Sequence, residues 1–240
     1  MKEFFKVQTP EELYRKLERF KPLSFEKVNI EDSLHRVLFE DVISPINLPE
    51  FRRSTVDGFA LKAKDTFGAT EKNPAILRLA GEIPMGQLSD IEVKEGEVVK
   101  VATGGMVPSG ADAVEMVEYT EWVDSQTLHV FKAISPLENI IQVGEDVKAG
   151  EVVLPKGHLI RPQDIGLMVG IGKTDVLVYL RPRMAIISSG DEIVPIEDIP
   201  KPGEVRDINR YTIVSMVKEA GAIPIFLGIA KDRFDDLKEK

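Results

Sequence analysis

Leu48-Pro49-Glu50-Phe51-Arg52-Arg53-Ser54-Thr55-Val56-Asp57-Gly58-Phe59-Ala60 is the stretch around which the rest of the chain is organised. It has neither a helical period nor a clean strand alternation, so it reads as an ordered loop. Ser54, Thr55 and Asp57 are short polar groups suited to holding turns and ligands. Gly58 permits a backbone angle, or a close approach, that other residues resist. Phe51, Val56 and Phe59 are apolar and pin the loop to a core. A loop that is both anchored and polar is a good place to present a carboxylate. The residues alone leave two readings of Asp57, a presented acid or a cap for its own turn, and Asp-Gly as a common turn pair favours the second.

Two later stretches change that balance. One is Ala102-Thr103-Gly104-Gly105-Met106-Val107-Pro108-Ser109-Gly110-Ala111-Asp112-Ala113-Val114, and the other is Pro182-Arg183-Met184-Ala185-Ile186-Ile187-Ser188-Ser189-Gly190-Asp191-Glu192-Ile193. The three together, in this order, resemble the molybdopterin molybdenumtransferase family, which includes bacterial and archaeal MoeA and the C-terminal domain of gephyrin. The family's wording is close to S-x-M-D-G-Y-A, then T-G-A-x-x-P-x-G-A-D-A-V, then R-P-x-V-x-x-x-S-T-G-D-E-L. The resemblance runs from about Glu26 to Asp232.

The bulk properties exclude several classes. The chain has 240 residues, enough for more than one domain, with 43% hydrophobic and 30% charged residues, an ordinary globular balance. It has no cysteine, which removes disulfides, thiolate zinc sites and cysteine nucleophiles and fits a reducing compartment, so the expected location is cytoplasmic. Its apolar runs are too short to span a membrane, and the N-terminus lacks a signal-peptide pattern. The net charge of -9 argues against a nucleic-acid partner. An anionic substrate stays open, because Arg52, Arg53, Arg181, Arg183 and Arg206 sit in or beside the motifs.

Along the chain, Thr9, Pro10 and Glu12 open a helix with a capping box, and Leu13, Leu17 and Phe20 mark its apolar face. Residues 30–39 are expected to form a second short helix, with Leu34, Val37 and Leu38 inward. From Asp41 to Ile134 the signals turn to strands: Ala75–Gly81, Val98–Ala102, and a hairpin of Glu121–Val123 and Leu128–Phe131 about a polar turn, with Trp122 in a packing role. Val152–Leu154 and His158–Ile160 read as another hairpin. Arg161-Pro162-Gln163-Asp164 opens a helix through Met168, and Val176–Tyr179 is a strand. Beyond Arg183 the pattern is β-α-β-α: an apolar strand Met184–Ile187, a helix capped by Asn209, an apolar strand Ile223–Ile229, and a helix from Asp232. Two parallel strands do not make an independently stable sheet, so this reads as the N-terminal portion of a longer protein.

The expected fold class is multidomain α+β. A β-rich domain, 41–144, is inserted in an elongated α/β-hairpin domain of residues 23–40 and 145–180. The start of a doubly wound α/β domain follows at 181–240, with an N-terminal helix within 1–22 packed on it.

Ser188-Ser189-Gly190-Asp191-Glu192 falls just past the carboxyl end of an apolar strand, the edge where open α/β sheets bind ligands. Neighbouring acids in an extended segment face opposite ways, so one of Asp191 and Glu192 points at the ligand and the other at the structure. Thr103-Gly104-Gly105 offers a hydroxyl and bare backbone N–H groups, either a nest for an oxyanion or a flexible turn. Asp146 and Asp232 are loop acids. His35, His129 and His158 lack metal-ligand spacing, so any metal takes oxygen ligands, which favours Mg²⁺ held partly by substrate phosphates.

The resemblance implies the rest. Its members insert molybdate into the dithiolene of adenylylated molybdopterin and release AMP. By that resemblance Asp57, Thr103, Asp146, Glu192 and Asp232 are catalytic, with Glu192 the ligand-side acid and Glu192 and Asp232 the magnesium ligands. Ser54, Gly104, Gly105, Ser188, Ser189, Gly190 and Asp191 are substrate-binding. A homodimer is implied, whose cleft sets Asp57 and Thr103 of one subunit against Glu192 of the other. The chain departs from the family at Arg52-Arg53 (usually an acidic or amide pair), Phe59 (Tyr), Gly105-Met106 (Ala-Pro) and Ser189 (Thr). These changes remove no carboxylate but leave molybdate and tungstate both open. The rival reading is a non-catalytic scaffold or dimerising module of the gephyrin type.

Overall fold

The structure, a computed structural model, describes residues 8–240. The chain divides into two compact units. One is Val42–Val153; the other takes the described residues before Val42 together with Leu154–Lys240.

The first unit is built on a six-stranded sheet in the order Ala113–Met116, Gly58–Leu61, Glu97–Val101, Ala75–Glu82, Thr127–Val130, Thr120–Trp122. Only Ala75–Glu82 and Glu97–Val101 run parallel. The two edge strands are separated in sequence by a single 3-10 turn, Val117–Tyr119. The sheet therefore rolls round on itself, and Phe59 meets Trp122 across the gap in an edge-to-face contact with centroids 5.6 Å apart. This confirms the packing role of Trp122, and it makes Phe59, where the family has Tyr, a buried aromatic in place of a missing hydroxyl. One core cluster holds Phe59, Leu61, Leu77, Val98 and Leu128; a second holds Ala60, Val93, Val99, Val101 and Val114.

Two buried clusters explain where the reading of the opening stretch fails. Gly58–Leu61 is a central strand buried at every position, so it shows no alternation to read. Arg53–Ser54 is also paired, antiparallel to Ile140–Ile141. Only the segments between them are loop. The unit closes at its base, where the Ser44 N–H donates to the Glu151 carbonyl at 2.9 Å and the Gly150 N–H returns to the Ser44 carbonyl at 2.8 Å.

In the second unit, Thr9 caps the helix Pro10–Leu17 with the expected capping box. Its apolar face is uncovered: Leu13, Leu17 and Phe20 are exposed. The expected helix over 30–39 is instead one 3-10 turn, Ile30–Asp32, capped by Asn29. His35 takes a left-handed φ of 59°, and Arg36–Leu38 runs on as an extended segment. That segment also takes the partner expected elsewhere. His158–Ile160 does not fold back on Val152–Leu154; it bonds to His35, Arg36 and Leu38, with Val37 opposite Leu159. Long-range backbone pairing overrides the local helical period here. Phe25–Asn29 and Asp175–Tyr179 form an antiparallel ribbon, and Pro162–Gly170 is the expected helix.

Arg183–Ser189 and Ile223–Ala230 run parallel, joined by the helix Ile208–Glu219. The helix cap is Asp207, with Asn209 already inside the helix. The cluster beneath the helix is small, Ile186, Val217 and Ala222, and Met184, Ile187 and Ile223 stay exposed. The last helix is Phe234–Glu239, two residues later than expected.

Candidate functional site

The 48–60 stretch is a hub for backbone pairing. Leu48 pairs with Val147, Arg53 bridges to Met106, Ser54 pairs with Ile140, and the Thr55 N–H donates to the Asn139 carbonyl. Asp146 and the Thr103 motif are thus both tied to the strand that delivers Asp57. Asp57 Oδ1 accepts two hydrogen bonds from Thr103, from its N–H at 2.8 Å and from its hydroxyl at 3.1 Å. These two bonds hold the exposed Asp57 carboxyl below the usual carboxylate range, the backbone donor having the larger effect. Asp57 is therefore an anion at neutral pH and not a proton donor. Asp146 is exposed on its loop, with its N–H bound to the Leu48 carbonyl at 3.0 Å.

Gly58 sits next to Asp57 for a steric reason. A Cβ there would lie 2.0 Å from the Glu115 carbonyl oxygen, so only glycine lets the two strands approach. The glycines after Thr103 behave differently from the expected oxyanion nest. The Gly104 N–H donates to the Ser54 carbonyl at 2.8 Å and the Gly105 N–H to the Ala102 carbonyl at 2.8 Å, while the Thr103 N–H is on Asp57. All three donors are committed internally. Ser54 is likewise buried, its hydroxyl donating to the Val56 carbonyl at 2.6 Å. Ser54, Gly104 and Gly105 thus shape the turn that carries Asp57.

In the second unit, Gly190-Asp191-Glu192 follows the carboxyl end of Arg183–Ser189, and Asp232 follows that of Ile223–Ala230. The two strand ends are side by side, with Ser189 opposite Ala230 and the Gly190 N–H on the Ala230 carbonyl at 3.1 Å. Glu192 and Asp232 are both exposed there. A Cβ on Gly190 would meet Glu192 Oε2 at 2.9 Å, so the Glu192 carboxylate folds back over the strand end. Asp191 is exposed; its carbonyl takes the Lys231 Nζ at 3.1 Å. Ser189 faces outward, but Ser188 is turned inward, 7% exposed, and its hydroxyl donates to Asp207 Oδ2 at 2.5 Å. Asp207, 3% exposed, also caps the following helix through the Arg210 N–H. Ser188 thereby links the strand to the cap of the following helix. In the sequence Asn209 masks Asp207, because it offers a more familiar-looking cap. Its signal was an acid two residues ahead of that position, just after the short strand Val205–Arg206.

Among the described residues, no three His, Asp or Glu side chains converge as a metal-holding group. Two exposed carboxylates on adjacent strand ends fit the other mode, a Mg²⁺ that keeps most of its shell from substrate phosphates and water.

The family model for the MoeA N-terminal region, domains I and II, matches residues 8–172. A putative molybdopterin biosynthesis protein of Methanocaldococcus jannaschii is 38% identical over 221 residues, which is 89% of this chain and 53% of that protein. The molybdopterin molybdenumtransferase of Bacillus subtilis is 35% identical over 213 residues, 88% of this chain and 50% of the relative. A crystal structure of a molybdopterin biosynthesis MoeA protein from Pyrococcus horikoshii superposes with a TM-score of 0.82 at 35% identity, over 98% of this chain and 60% of that one. The chain therefore spans about half the length of the curated relatives it matches. With the family model covering most of the chain and the fold reproduced in a structural neighbour, the chain belongs to the MoeA family and carries its N-terminal region.

Proposed function

We propose that this chain is the part of a molybdopterin molybdenumtransferase that supplies carboxylates for inserting molybdate, or tungstate, into adenylylated molybdopterin with release of AMP. The observation that carries the reading is the Asp57–Thr103 pair, an exposed carboxylate held ionised by two donors on a rigid hub. An ionised acid of this kind accepts a proton or a metal-bound water and orients it. With Oδ1 occupied by Thr103, the second oxygen of Asp57 is the one left for that task. Asp146 adds a second acid on the same hub. Glu192 and Asp232 would hold Mg²⁺ with the substrate's phosphates, and Ser189, Gly190 and Asp191 line that strand end. Bound there, the ion would supply charge stabilisation to the adenylyl phosphate as its bond breaks. The residues' own part is to place acceptors at two loci, with Asp57 at one of them held ionised by Thr103.

The proposed arrangement is a homodimer of cytoplasmic location, in which residues 23–40 and 145–180 carry the 41–144 domain as an insertion. Among the described residues no helix is long and apolar enough to cross a membrane. The scaffold reading is not favoured, since it has no use for an ionised Asp57 tied to Thr103. Asp57→Asn in the complete enzyme tests the reading: molybdate insertion is expected to be lost with the fold intact. Normal cofactor formation by that variant would remove Asp57 from the reaction.

A further inference from the structure

Arg52 stands where the resembled family carries an acid or amide, and the chemistry above makes no use of it. Its guanidinium does not face outward for an anionic substrate. Nη1 donates to the Ala111 carbonyl at 2.9 Å and Nη2 to the Pro108 carbonyl at 3.0 Å. Pro108 and Ala111 are themselves buried, and the part-buried fork joins both ends of the turn between them. The main chain of the same residue continues the link, because the Arg52 carbonyl accepts the Val107 N–H at 2.9 Å. From there a short ladder leads back to the acid. Arg53 bridges to Met106, the Ser54 N–H donates to Gly105 at 3.0 Å, and the Gly104 N–H donates to Ser54 at 2.8 Å. The next residue on that ladder is Thr103, which holds Asp57.

We propose that Arg52 is a positioning residue for the Asp57 carboxylate, acting through the segment Thr103–Ala111. The inference rests on the reading of Asp57 as the ionised carboxylate that serves the reaction as an acceptor. A planar guanidinium can serve two carbonyls three residues apart at once, which a single ammonium or amide does poorly. Without it, the far end of the segment keeps the Val93 N–H bond to the Ser109 carbonyl but loses the fork across Pro108 and Ala111, and Thr103 shifts on Asp57. Arg53 does not share the task; its guanidinium lies over the Phe51 ring, 4.8 Å from the centroid.

The test uses the 240-residue chain with ¹³C-labelled aspartate, following the Asp57 carboxyl signal by NMR through an acid titration. Thr103→Ala provides the reference for full loss of the two hydrogen bonds. In Arg52→Met the Asp57 midpoint is expected to move up toward the ordinary 3.8, with faster exchange of the Thr103 amide proton. Arg52→Lys should restore part of the shift by reaching one carbonyl. A folded Arg52→Met that merely melts earlier, with the Asp57 titration and Thr103 exchange unchanged, overturns the proposal. Should the Met variant fail to fold, Arg52→Gln is read by the same two outcomes. Because the signal comes from Asp57 itself, a null result here leaves the Asp57→Asn activity test standing, and the reverse holds too.

Discussion

Glu115 gives the sharpest test of the energetics of the rolled sheet. Its side chain is 1% exposed, opposite Phe59 in the ladder, and Oε2 has no hydrogen-bond partner while Oε1 accepts the Met116 N–H at 3.2 Å. Burial pushes its carboxyl up from 4.5 to about 6, with the Met116 N–H and Lys132 pulling down and Glu138 pushing up slightly. Well below pH 4.5 the group is protonated in both the folded and unfolded chain and contributes nothing. As pH rises toward 6 the unfolded chain releases its proton while the folded chain retains it, so stability falls. A rise of about 1.5 pH units, at 1.36 kcal/mol per unit, costs about 2 kcal/mol once both states are ionised. Glu115→Gln removes the titration, so its stability relative to wild type should climb by about 2 kcal/mol between pH 4 and pH 7.5. A constant offset from the new amide cancels in that comparison, as do the other carboxylates. Urea unfolding followed by fluorescence is suited to the measurement, because Trp122 is the only tryptophan and packs on Phe59. A difference that stays flat with pH, or falls as pH rises, would refute the argument that Glu115 is buried without adequate partners.

Three further outcomes are expected. Gly58→Ala should cost about 3 kcal/mol or more, because the added carbon meets backbone and not a movable side chain; a change under about 0.5 kcal/mol in the same melt contradicts the packing. Hydrogen exchange should protect the amides of Gly58–Leu61, Glu97–Val101 and Ala113–Met116 far better than those of Arg183–Ser189, whose cover is one helix and a three-residue cluster; strong protection across the parallel pair argues otherwise. Sedimentation at micromolar concentration should give twice the 26.7 kDa chain mass, and a strict monomer counts against the dimer.

Local signals proved the readable part of the sequence. The capping box at Thr9 and Glu12, the hairpin turn at Asp124 and the β-α-β order after Arg183 are set by neighbours in the chain, and each is found in place. Readings failed where a distant partner decided the conformation. Residues 36–38 have a helical apolar spacing, yet His158–Ile160 draws them into backbone pairing. Gly58–Leu61 hides its strand character because both faces are covered. At the candidate site, the motif resemblance points to Asp57 and Thr103, and the structure joins them directly. The inward turn of Ser188 and the internal use of the Gly104 and Gly105 N–H groups were not legible, since residue type states what a group can bond and not which partner reaches it first.

The paired backbone at Ser44 and Glu151 has a consequence for how this chain can be rebuilt. Those reciprocal bonds bring the entry and exit of the Val42–Val153 unit together, so the unit begins and ends at one point. A segment with adjoining ends can be cut out as a cassette, its flanks rejoined by a short glycine link, or it can be circularly permuted at an exposed tip such as the Asp124–Gln126 turn. Grafting the cassette from a relative would then exchange the Asp57, Thr103 and Asp146 set as one inheritable block, leaving Glu192 and Asp232 in their original setting.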